Sequence, residues 1–160
     1  METPRNKFFA EWDLDFNQYK PMWYGVEIDV PVLLNGRGQG SISINNQPFL
    51  LYRITHAIIG PTFDWQTTGW YQDDQYSIEF RDENSNYQNI PIMSAMMFGS
   101  AREGRYMDFA IPLAYSGNKT LSFTVTNRYL RVLTPLADYY RVGITVHGVA
   151  DWGPLQTSVR

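Results

Sequence analysis

The chain has 160 residues, no cysteine and a formal net charge of −3 at pH 7. A chain of this length makes one domain that buries roughly 70% of its unfolded surface, and the missing cysteines exclude disulfide frameworks, thiolate metal sites and cysteine nucleophiles. A pI near 5.3 argues against a nucleic-acid binder and against a polybasic membrane binder, so neither nucleic acid nor membrane is expected as a partner.

Residues 1–22 read as an extended arm studded with Phe8, Phe9, Trp12, Phe16 and Tyr19. Their spacing fits neither a 3.6 nor a 2.0 period. Such an arm packs on its own domain or reaches to a neighbouring subunit. Its first residues have no apolar h-region, which predicts no signal peptide. No run approaches 18 apolar residues, so no helical membrane span is expected.

Strand-like segments follow over residues 23–150. Trp23 to Val30 alternates, with Val26, Ile28 and Val30 opposed to Glu27 and Asp29. Pro31 ends it, and Asn35 to Gly40 reads as a turn by its glycines. Ser41 to Ile44 alternates again. Phe49 to Ile59 is a longer apolar run holding Arg53 and His56, and its β-branched content favours a buried strand. Residues 61–74 form a loop containing Trp65, Trp70 and Tyr71. Gln75 to Phe80 is a strand with Tyr76, Ile78 and Phe80 inward. A polar turn, a short Met-rich strand over Ile90 to Met97 and a loop with Arg102 and Arg105 come next. Met107 to Leu113 places Phe109 and Ile111 on one face. A hairpin turn at Ser116 to Lys119 leads to the Leu121, Phe123, Val125 alternation. The last strand alternates Tyr140, Val142, Ile144 and Val146 with Arg141, Gly143, Thr145 and His147. Residues 151–160 read as a tail. Seven or eight short strands without a capped helix predict an all-β fold, an antiparallel β-sandwich of jelly-roll or immunoglobulin-like kind with an extended N-terminal arm.

Sequence motifs for chemistry fail one by one. Asp82-x-Asn84-x-Asn86 copies the opening of a calcium loop, but Tyr87 stands where glycine is needed and Met93 where a bidentate glutamate is needed. His56 and His147 are too few for a zinc site. Gly99-Ser100 lacks the flanking glycines of a nucleophile elbow. Asp64, Asp73, Asp74, Glu79 and Asp108 supply carboxylates, but nothing in the spacing singles out a catalytic pair. Gly36 to Gly40 is no dinucleotide fingerprint. The expectation is therefore a protein that is not an enzyme, with no catalytic residues, no metal and no cofactor.

Two features stand out. Arginine outnumbers lysine 10 to 3, and arginine, tyrosine, tryptophan and methionine are enriched in protein interfaces while lysine is depleted. Trp65, Trp70 and Tyr71 also lie close together in one loop. These observations make Phe8, Phe9, Trp12, Phe16, Tyr19, Trp65, Trp70, Tyr71, Arg102 and Arg105 the candidate partner-binding residues.

The order of the pieces Ser41-Ile-Ser-Ile, Pro48-Phe-Leu-Leu-Tyr-Arg-Ile-Thr, Ile90-Pro-Ile, Phe109-Ala-Ile-Pro-Leu, Leu121-Ser-Phe-Thr-Val-Thr-Asn and Val142-Gly-Ile-Thr-Val-His-Gly resembles small β-sandwich structural proteins of bacteriophage virions. The resemblance covers about residues 26–149 and implies an auxiliary capsid, decoration, vertex or tail-associated component, assembled in the host cytoplasm. Its partners would be copies of itself or other virion proteins. The alternative is a carbohydrate-binding or receptor-binding module that uses Trp65, Trp70 and Tyr71, with a glycan as partner.

Overall fold

The computed structural model describes residues 19–60, 76–83, 85, 87–88, 91–93, 106–128 and 138–151. Among them are eight strands and no helix: β1 (Tyr19–Pro31), β2 (Arg37–Ser43), β3 (Phe49–Gly60), β4 (Tyr76–Asp82), β5 (Ile92–Met93), β6 (Tyr106–Tyr115), β7 (Thr120–Asn127) and β8 (Tyr139–Asp151). One sheet has the order β1-β8-β3-β6 and the other β2-β7-β4-β5. The first strand pairs with the eighth, the second with the seventh, the third with the sixth and the fourth with the fifth, always antiparallel. The chain is thus one long hairpin, folded back at β4–β5, whose paired ribbon is wrapped into two packed sheets. That pairing order is the jelly roll, and it differs from the immunoglobulin arrangement of three- and four-stranded sheets.

The core follows from period-two alternation. Ile28 and Val30 of β1, Leu51 and Ile54 of β3, and Val142, Ile144 and Val146 of β8 point inward from one sheet. Ile42, Ile78, Phe80, Leu121, Phe123 and Val125 meet them from the other. Phe80 and Phe123 stand opposite each other in the β4–β7 pair and stack at 5.1 Å. The rings expected inside from sequence, Tyr76, Phe80, Phe123 and Tyr140, are buried, and Phe109 packs half-buried against the cluster.

Three local differences from the sequence expectation have physical causes. First, β1 begins at Tyr19, so residues 19–22, read as the end of the arm, are strand residues paired with Gly148 to Asp151. The rest of the arm, residues 1–18, lies outside the described residues.

Second, Gly38 and Gly40 belong to β2 and not to a turn. A Cβ on Gly40 would lie 2.7 Å from Ile28 Cγ1 and 2.8 Å from Val26 Cγ2, and one on Gly38 would lie 2.7 Å from Ile28 Cγ2. The glycines are there because β1 crosses directly over β2, and only hydrogen fits between them. The turn itself is confined to residues 32–36.

Third, β3 carries two residues more than β8 along their ladder, one between Leu51 and Arg53 and one between Ile58 and Gly60. Leu51 pairs with Gly148 and Arg53 with His147, which leaves Tyr52 as the extra residue of a β-bulge. On the β6 side the irregularity is larger: Leu51 faces Leu113, and Arg53 faces Asp108. The intervening stretch of this edge strand contains Pro112, which has no N–H to give to a ladder. Phe109 and Ile111 are consequently separated. Phe109 turns to the core, while Ile111 is 73% exposed, against the expectation that the two lie on one face.

Gly40→Val should overpack the β1–β2 crossing and cost about 1–3 kcal/mol. Urea denaturation should show a lower midpoint with an unchanged slope. An unchanged midpoint would mean that β1 does not bear on β2.

Candidate functional site

Antiparallel wrapping sends alternate connections to opposite ends of the sandwich. The turns between β2 and β3, β4 and β5, and β6 and β7 share one end. Asp82 closes the second of these: its carboxylate accepts from the Ser85 backbone N–H at 2.6 Å and from the Tyr87 hydroxyl at 2.6 Å. Tyr115 donates its hydroxyl to Tyr87 at 3.1 Å. Burial pushes the Tyr115 phenol well above its ordinary pKa, and its bond to Tyr87 adds to the shift. The calcium-like motif at Asp82 is therefore a turn held by a short hydroxyl relay.

At the opposite end lie the β1–β2 turn and the strand ends that flank residues 61–75, 94–105 and 129–137. Pairings place them there: Pro31 with Tyr139, Gly60 with Arg141, Tyr106 with Thr55, Ser77 with Met93, and Tyr76 with Asn127. Asn127 fixes this end. Its side-chain Nδ2 donates to Val32 O at 2.8 Å and Leu33 O at 3.1 Å, its backbone N–H donates to Gly36 O at 2.8 Å, and its carbonyl accepts from Asn35 N at 2.9 Å. Asn35 takes the left-handed region with φ 62°, which asparagine tolerates. Arg128 then donates to Asn35 Oδ1 at 2.8 Å and to Ser77 Oγ at 3.1 Å. The result is a rigid turn that holds Leu33 74% exposed and Leu34 49% exposed. Two apolar side chains held in water by a polar clamp make this turn the candidate contact surface of that end.

Of the candidate residues from sequence, Tyr19 is the first residue of β1, half-buried and opposite Asp151. Phe8, Phe9, Trp12, Phe16, Trp65, Trp70, Tyr71, Arg102 and Arg105 lie outside the described residues. The strands that carry the segments of Trp65, Trp70, Tyr71, Arg102 and Arg105 all terminate at the Leu33–Leu34 end.

A second surface was missed by sequence reasoning. Trp23 of β1 faces His147 of β8, which faces Arg53 of β3, which faces Asp108 of β6. These four make one row across the outer side of the β1-β8-β3-β6 sheet. Arg53 grips Asp108 through Nε at 2.5 Å and Nη2 at 2.9 Å, and its guanidinium lies 4.2 Å from the centre of the Tyr106 ring. His147 Nε2 is 2.9 Å from Thr55 Oγ1, and Trp23 meets the imidazole edge-on at 6.5 Å. A parallel cluster sits nearer the strand ends, where Arg141 holds Asp29 at 2.6 and 3.2 Å and Glu27 at 3.4 Å. The signal for this face was the outward phase Arg141, Gly143, Thr145, His147. Its partners Trp23, Arg53 and Asp108 come from three other strands.

The remaining titratable groups are placed structurally. His56 is buried and bonds Tyr76 through Nδ1. Among the described residues no group of three His, Asp or Glu side chains is arranged to hold a metal ion. The outer side of the second sheet is hydroxyl-rich, with a shallow furrow of about 230 Å³ beside Gln39, Ser41, Arg81, Ser122 and Thr124.

Partial burial lowers the His147 pKa from its ordinary value, the Arg53 charge lowers it further, and Asp108 opposes both. A histidine depressed in the folded state is protonated more readily when unfolded, so stability is kept above pH about 6.5 and lost as pH falls below it. His147→Gln should flatten the fall of the urea midpoint between about pH 7 and pH 5; a midpoint that still falls as steeply as in the parent would refute this. Asn127→Ala should strip two carbonyls of their donor and cost about 1–3 kcal/mol, with faster proteolytic cleavage near Leu33–Leu34 as the local readout. In comparisons with known proteins, no family model matches this chain and no curated protein is found to be its relative.

Proposed function

We propose that this chain is a non-enzymatic structural component of a virion, an auxiliary capsid, decoration or vertex protein that works through protein–protein interfaces. The jelly-roll pairing order supports the reading, because this architecture is shared by viral capsid domains. A fold alone does not carry a function, and lectins and cupins use the same wrapping. The observation that carries the proposal is the asymmetry of the two ends. One end holds the short β2–β3, β4–β5 and β6–β7 connections together with the start of β1 and the end of β8. The other gathers the flanks of every long connection around a rigid, exposed Leu33–Leu34 pair. A scaffold that gathers three long connections and an exposed apolar pair at one end is suited to dock through that end, against copies of itself or against other virion proteins in a particle assembled in the host cytoplasm. The residues singled out for partner binding, Trp65, Trp70, Tyr71, Arg102 and Arg105, fall in connections attached to this end. Phe8, Phe9, Trp12 and Phe16 belong to the arm that precedes β1 and would tie neighbouring subunits together.

Light scattering of the full chain should show a symmetric oligomer, or the chain should co-sediment with virion particles. Leu33→Ser with Leu34→Ser should weaken that association about tenfold or more, the equivalent of ~1.4 kcal/mol or more of interface energy, while thermal unfolding stays unchanged. A strictly monomeric chain that binds no particle would overturn the proposal.

A further inference from the structure

The outer side of the β1-β8-β3-β6 sheet contains a glycine that the fold does not demand. Gly38 and Gly40 are forced by contacts closer than 3 Å, and Gly148 by the Phe49 ring. A Cβ on Gly25 would meet only Ile144 O and Thr145 Oγ1, both at 3.7 Å, which is ordinary contact. A glycine in a strand interior weakens the strand and has no side chain to pack, and it often marks a place where a ligand approaches the backbone. Gly25 faces Thr145, which faces Thr55. In the next row Glu27 faces Gly143, which faces Ala57. Gly25, Thr145, Thr55, Gly143 and Ala57 thus floor a furrow that crosses three strands, a width of about 10 Å from two strand spacings, with Glu27 at its β1 edge drawn toward Arg141. Trp23, 63% exposed, stands on one lip beside His147 and the Arg53–Asp108 pair. Arg141, clasped by Asp29, stands on the other.

Charge narrows the occupant. Among the described residues, both guanidiniums on this face are already held by carboxylates, and Glu27 adds a third acid to Asp29 and Asp108. Two positive groups against three negative ones give no draw for a phosphate, a sulfate or a polyanion. What the furrow offers is an exposed indole, the hydroxyls of Thr55 and Thr145, and donors and acceptors fixed in place by the Arg–carboxylate pairs. Those groups match a ring with an apolar face and a hydroxyl rim. We propose that this furrow binds an uncharged oligosaccharide, with one pyranose ring stacked on Trp23 and its neighbours laid over Gly25 toward Thr55 and Thr145. The site uses strand residues only and neither Leu33 nor Leu34.

The test is calorimetric titration of the full chain with hexasaccharides of cellulose, xylan, mannan and chitin, and with heparin hexasaccharide as the anionic comparison. At least one neutral hexasaccharide should bind. Trp23→Ala should weaken it about tenfold or more, and so should Gly25→Val, whose Cβ meets nothing closer than 3.7 Å and which fills the floor. Heparin should bind more weakly than the neutral ligand. Absence of binding by all four neutral chains, binding that survives both substitutions within about twofold, or binding of heparin alone would each overturn the proposal.

Discussion

Tyr52 is one residue more than the β3–β8 ladder can hold, and the face of the protein that meets water depends on it. Up to Leu51 the odd positions of β3 point into the core, as Phe49 and Leu51 do. A strand with strict period two would then bury Arg53 and expose Ile54. The bulge inverts the phase, so Ile54 and His56 go inward and Arg53 comes out opposite His147. A guanidinium left in the core without a carboxylate would be untenable. With the inversion it instead reaches Asp108 and lies over Tyr106. The polar row on the first sheet and the continuous apolar core beneath it are therefore two results of the same insertion.

The wrapping decides where everything else is placed. Because each strand pairs with its mirror in the order, alternate connections must share an end. Short turns gather at one side and long connections at the other. Asn127 makes the second end rigid where it needs to be, by spending its side chain on backbone groups of the first turn. Fixed apolar tips and a broad, polar sheet face are then presented in different directions, so that an end-on contact leaves the sheet face accessible.

Much of the fold was legible where alternation is unbroken. β1, β4, β7 and β8 show their inward phase directly in Val26-Ile28-Val30, Tyr76-Ile78-Phe80, Leu121-Phe123-Val125 and Val142-Ile144-Val146. The signal failed where a tertiary contact sets the residue type. Gly38 and Gly40 look like turn residues because the reason for them is a strand of the opposite sheet. Ile111 looks like a core residue because an edge-strand irregularity has no signature beyond Pro112. The row of Trp23, His147, Arg53 and Asp108 was out of reach for a different reason. Its members are spread over four strands, and only the register brings them together.

The β1–β8 ladder has a temporal meaning as well. It joins the start of the sandwich to its end, with Asp29 and Arg141 separated by 112 positions. During synthesis β1 emerges before the other seven strands and must wait for β8. Until then its long apolar phase has no sheet to join. Topologies dominated by such distant pairings fold slowly, and the waiting strand is the part of the nascent chain most exposed to mispairing. The β4–β5 hairpin, the one ladder among the described strands that joins neighbours in sequence, is available early. The strand of the sandwich made earliest is thus one that its sheet can secure only after β8 is available.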